Sequence, residues 1–152
     1  MVSLDPPKLT VADAASVLDV RLAAALDGGF EEVTGCVVLR RFADSARLTS
    51  LTDHGDETGF EAFVNHVHIE DMLDDTTSQS ELLKQTLAYV VCVAERLSVA
   101  FPAKSFEIIV SVDDSHTVRF TTARQDQPSW LADDLEGYEA EAVMALVVPS
   151  RN

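Results

Sequence analysis

The chain has 152 residues and a mass of 16.5 kDa, with 47% hydrophobic and 24% charged residues, which suits one folded domain spanning 1–152 and excludes an intrinsically disordered chain. Its net charge of −15 and pI near 4.4 set long-range repulsion against phosphate backbones and anionic lipid surfaces, so nucleic acid and membranes are excluded as direct ligands. The longest apolar run, Leu87 to Ala94, falls short of the ~20 residues of a membrane span, and the start, Met1 to Pro7, lacks the basic-then-apolar pattern of a secretion signal, so a cytoplasmic location is expected.

Residues 1–9, with Pro6-Pro7, read as an extended lead-in. Thr10 then caps a helix in which Val11, Ala14, Val17, Leu18, Leu22, Ala25 and Leu26 recur at helical spacing, until Gly28-Gly29 ends it. Val33 to Phe42 is dense in β-branched residues and reads as a strand, with Ala43-Asp44-Ser45 as its turn. Leu48 to Thr52 and Gly59 to Ile69 read as two more strands joined by the loop Asp53 to Glu57. Asp74 to Thr77 is a polar linker. Ser78-Gln79-Ser80-Glu81 has the form of a capping box and predicts a well-buried helix over Gln79 to Ala100, stopped by Phe101-Pro102. Ser105 to Val112 and Thr117 to Ala123 predict a hairpin turning at Asp113 to His116. Trp130 to Tyr138 fits a short acidic helix, and Ala142 to Val148 is a candidate final edge strand. The order α-β-β-β-α-β-β-α, with that candidate last β, predicts an α+β fold: an antiparallel sheet of five to six strands with helices packed on one face.

The negative charge is segregated. Leu48 to Leu83 carries Asp53, Asp56, Glu57, Glu61, Glu70, Asp71, Asp74, Asp75 and Glu81 without a single Lys or Arg. Gln125 to Ser150 carries Asp126, Asp133, Asp134, Glu136, Glu139 and Glu141, again without a base. Elsewhere acids and bases balance. The pattern points either to a surface that attracts a basic partner or to a solvated face that keeps the protein soluble; against the second, a sequence selected only for solubility would be expected to intersperse the two signs. Trp130, beside Arg124 and Asp126, offers a large rigid contact for such a partner, or alternatively pins the last helix to the sheet.

Chemistry-bearing motifs are sparse. No nucleophile elbow, phosphate-binding loop, dinucleotide fingerprint or zinc-protease motif occurs, and no cofactor is implied. His66, His68 and Glu70 would share one side of a strand, with His54 approaching from the neighbouring loop, which is the donor set of a Zn2+ or Fe2+ site. Cys36 and Cys92 sit among aliphatic neighbours and read as reduced core thiols.

In size, charge and element order the chain is similar to two kinds of small acidic protein. One is the toxin-neutralising immunity protein, whose carboxylates cover the cationic site of a nuclease; the other is the acidic chaperone of type III secretion effectors. The resemblance implies a non-enzymatic domain that binds or masks a basic protein. The chaperone resemblance implies a homodimer with exposed apolar patches for an unfolded client, whereas an immunity protein can be monomeric with a polar acidic face. The alternative is a small enzyme or ligand-binding domain built on His66, His68 and Glu70, with or without a metal.

Overall fold

A computed structural model describes residues 9–130 and 142–151. The helix expected after Thr10 forms as two, α1 (Val11–Val17) and α2 (Val20–Asp27). Thr10 Oγ1 accepts the Asp13 N–H at 3.1 Å as expected, but Leu18 turns extended and Asp19 Oδ1 accepts the Arg21 N–H at 2.8 Å, starting a second helix. The apolar spacing runs unbroken across this kink, so periodicity alone could not reveal it. Asp19, an N-cap residue type, was the available signal.

The expected strand Val33–Phe42 is instead a tight hairpin followed by helix. Strands β1 (Phe30–Val33) and β2 (Cys36–Leu39) pair antiparallel across Thr34-Gly35, whose φ values of 51° and 81° are both in the left-handed region. Two successive positive φ angles give the twist that a two-residue hairpin needs. A 3-10 turn at Arg40–Phe42 leads into α3 (Ala43–Leu48) where a turn was expected. The expected strand at Leu48–Thr52 is replaced by the end of α3 and a second 3-10 turn, Leu51–His54.

Gly59–Ile69 likewise does not form one strand. It divides into α4 (Glu57–Val64) and the two-residue β3 (Val67–His68). Asp56 Oδ1 caps α4 by accepting the Gly59 N–H at 2.7 Å. A Cβ at position 59 would stand 2.2 Å from the His54 carbonyl oxygen, so the preceding turn closes against α4 only because residue 59 is glycine.

The second half follows the sequence closely. Helix α5 (Gln79–Ala100) is capped by Ser78, whose Oγ accepts the Glu81 N–H at 3.2 Å; Glu81 Oε1 accepts instead from Gln85 Nε2 at 2.9 Å. Strands β4 (Phe106–Val112), β5 (His116–Thr122) and β6 (Ala142–Val148) join β3 in an antiparallel sheet of order β3-β5-β4-β6. The class is α+β, and among the described residues six strands are divided between two antiparallel sheets instead of gathered in one. The acidic helix expected over Trp130–Tyr138 lies outside the described residues, as does most of the N-terminal lead-in. No helix among the described residues is long and apolar enough to cross a membrane.

Two apolar cores result. The larger packs Tyr89, Val93 and Leu97 of α5 with Leu22 and Leu26 of α2 onto Phe106, Ile108, Val118 and Phe120 of the sheet. The smaller joins the β1–β2 hairpin to α3 and α4 through Val33, Cys36, Val38, Ala46 and Phe60. Between them, Glu61 and Asn65, one helical turn apart, bond the backbones of β2 and β5. Glu61 Oε1 accepts the Val37 N–H at 2.8 Å, and its Oε2 accepts the Thr122 N–H at 2.5 Å. Asn65 accepts the Leu39 N–H at 3.0 Å and donates to the Val37 carbonyl at 2.8 Å and to the Phe120 carbonyl at 3.3 Å. Two side chains thus take the place of a missing strand.

Candidate functional site

Because β3 is only two residues long and pairs with β5 (Val67 with Val118, His68 with Thr117), the chain leaving it lands beside the β4–β5 turn. There it winds into a 3-10 turn, Ile69–Met72, anchored by the buried Ile69. Glu70 Oε2 accepts the His116 N–H at 3.0 Å, tying this turn to the start of β5. The Thr77 N–H then closes a turn onto the Asp74 carbonyl at 2.9 Å just before Ser78 caps α5.

These turns enclose a depression of about 520 Å³ lined by Glu70, Asp71, Asp74 and Asp75 on one side and by Asp114 of the β4–β5 turn on the other, with Leu73 and Leu82 supplying apolar wall. Asp71, Asp74, Asp75 and Asp114 are exposed. Arg21 reaches Asp74 Oδ1 at 3.0 Å, but its guanidinium is shared with Asp19, 3.1 Å away. His68 Nδ1 is 3.7 Å from Glu70 Oε1. The positive end of the α5 dipole faces the same loop and offsets part of the repulsion among these carboxylates. Asp113 at the rim is held below the usual carboxylate range by the Ser115 N–H and hydroxyl, and so stays charged.

The rest of the first acidic stretch does not join this depression. Glu61 is wholly buried and forms a two-pronged ion pair with Arg124, at 2.8 and 3.0 Å, so it cannot contact a partner. Asp56 is occupied as the α4 cap, and Glu57 accepts a hydrogen bond from Gln127 Nε2. Its own backbone N–H, then Gln127, lower the Glu57 carboxyl from its ordinary value. Asp53 and Asp126 are exposed. Asp133, Asp134, Glu136 and Glu139 lie outside the described residues. Trp130 is half-exposed, with the Arg119 guanidinium 4.2 Å over its ring, and lines a separate hollow of about 370 Å³ with His54 and Phe63.

The histidine group is not assembled as a metal centre. The His66 and His68 rings stand 4.5 Å apart and Glu70 Oε1 lies 3.7 Å from His68 Nδ1, but Glu70 Oε2 is taken by the His116 N–H. His54 stacks on Phe63, 4.3 Å away, away from the pair. Among the described residues, no three His, Cys, Asp or Glu side chains are placed to hold a metal ion. Burial, then the Arg119 charge, then His68 lower the His66 pKa. Both cysteines are buried and unbridged, and burial raises the Cys36 thiol to about 11, so it offers no nucleophile at neutral pH.

A family model described as the Uncharacterized protein PM0498 family matches residues 7–150. The chain belongs to that family. No curated protein and no solved structure matches this PM0498-family chain. Its acidic depression gathers five carboxylates around a concave surface, with His68 beside Glu70 and the one guanidinium that reaches it, that of Arg21, shared with Asp19. That arrangement accepts cations.

Two features of the PM0498-family chain escaped the sequence reading. Asp114 was read only as a turn residue, although the pair Asp113-Asp114 marked a second source of charge. The Glu61–Arg124 pair was hidden because residues 59–69 read as a strand; Glu61 and Asn65 at i and i+4 behind an Asp-x-x-Gly cap were the sign of a helix.

Proposed function

We propose that this protein is a non-enzymatic interaction domain of the cytoplasm that docks or masks a basic protein partner. The observation that carries the reading is the convergence of Glu70, Asp71, Asp74 and Asp75 with Asp114 on one depression, from segments far apart in sequence. Lys or Arg side chains entering it meet several carboxylates at once, and the negative field speeds encounter at low ionic strength. The apolar wall of Leu73 and Leu82 accommodates the aliphatic stem of such a side chain. The reading covers both the immunity-like and the secretion-chaperone-like resemblance. Masking works by occupancy, and no bond is made or broken.

The test is a pull-down from the source cells with wild type and with an Asp71→Asn/Asp74→Asn/Asp75→Asn variant, at low and high salt. A basic protein retained by wild type at low salt, released by salt and lost from the variant supports the reading. Equal capture by both proteins contradicts it.

A further inference from the structure

We infer that β6 and the apolar groove beside it form the seam between two copies of this chain, joined by antiparallel β6–β6 pairing about a two-fold axis. This inference does not rest on the docking of a basic partner. β6 bonds to β4 along one side, through pairs from Phe106–Val148 to Val112–Ala142, and among the described residues no strand pairs with its other side. That edge is seven residues long and carries Ala-Val-Met-Ala-Leu-Val-Val, without the charge, proline or bulge by which solitary edge strands avoid one another. An antiparallel edge is also complementary to itself, since a two-fold axis sets donors against acceptors on both strands.

The side chains point to the same occupant. Met144 and Leu146 pair with Val110 and Ile108, so they lie on the face of the sheet that α5 covers, yet they stay exposed because α5 stops short of the edge. Between them and α5 runs a groove of about 710 Å³, lined also by Leu9, Leu83 and Leu87. These five side chains are 38% to 45% exposed. Apolar side chains left in water in this way mark a surface that a partner covers, a standard interface removing ~800 Å² per partner. Charge selects a second copy over a basic protein. The groove's lining includes only Asp13 and Lys84 as charged residues, of opposite sign, so it is the neutral place where two chains of −15 can meet. An axis passing near Ala145 sets Met144 against Leu146 across the seam.

The test is sedimentation equilibrium of the full chain at tens of micromolar, at low and high salt, with wild type, Met144→Lys/Leu146→Lys and Leu83→Glu. Wild type is expected at twice 16.5 kDa, with association strengthened by salt because screening weakens repulsion between like-charged copies. Both variants are expected to run as monomers with unchanged circular dichroism. Leu83→Glu, on a helix surface away from the strand, keeps the test decisive if the double variant does not fold. A wild-type monomer, or a dimer that persists in a folded variant, overturns the inference. Basic-partner docking weakens with salt, so the two readings fail separately.

Discussion

At the scale of single residues, the charge least able to act at the surface carries much of the fold. Glu61 has no exposed area and satisfies two backbone N–H groups, a threonine hydroxyl and the Arg124 guanidinium. Removing its charge leaves Arg124, only 15% exposed, without its counter-ion; breaking one partner of a buried pair costs about 3–5 kcal/mol. Glu61→Gln is therefore expected to lower the unfolding free energy by ~3 kcal/mol in urea titrations, whereas Asp71→Asn, an exposed change, should shift it by under ~0.5 kcal/mol. His66 gives a pH signature. Its folded pKa lies below the ordinary imidazole value of about 6.5, so as pH falls through that value the unfolded chain takes up the proton first and stability is lost; above it the contribution is flat. His66→Gln should reduce the slope of stability against pH between 7.5 and 5.5, measured by thermal melts. An unchanged slope in the variant would assign the effect elsewhere.

At the scale of elements, the tight β1–β2 turn holds a testable strain. Thr34 is β-branched and sits at φ 51°, a conformation that costs an L-residue about 1–2 kcal/mol and that asparagine tolerates better. Thr34→Asn is expected to raise the unfolding free energy measured by urea titration by about 0.5–1 kcal/mol, without altering the hairpin. The same turn shows where the sequence was legible. Elements announced by strong local chemistry, such as the Ser78 cap with the long apolar run behind it or the β4–β5 hairpin around Asp113 to Ser115, form where they were expected. Between residues 28 and 69 the elements are short and their apolar residues are compatible with either period, so tertiary contacts decide. Phe60 and Val64 pack as a helix against the hairpin, while Glu61 and Asn65 need helical spacing to reach the β2 and β5 backbones. Despite the misread strand over Gly59–Ile69, His66, His68 and Glu70 remain neighbours across the 3-10 turn at Ile69, while His54 stacks on Phe63 and no three such side chains among the described residues are placed to hold a metal.

At the scale of the whole molecule, segregation of charge along the sequence survives in space only in part. Glu70, Asp71, Asp74 and Asp75 of the first acidic stretch gather with Asp114 around one depression, while Asp56, Glu57 and Glu61 are occupied by capping, by Gln127 and by Arg124. A neutral apolar face lies along another side of α5. The proposed docking of a basic partner and the inferred pairing of two copies would therefore respond to salt in opposite directions. The most direct measurement of the central claim is amide chemical-shift mapping of the protein titrated with a peptide rich in Lys and Arg at low salt. Movement concentrated at residues 69–77 and 113–115, and fading as salt is raised, is the predicted result. Stationary amides there, with the peptide either unbound or bound elsewhere on the surface, would contradict it.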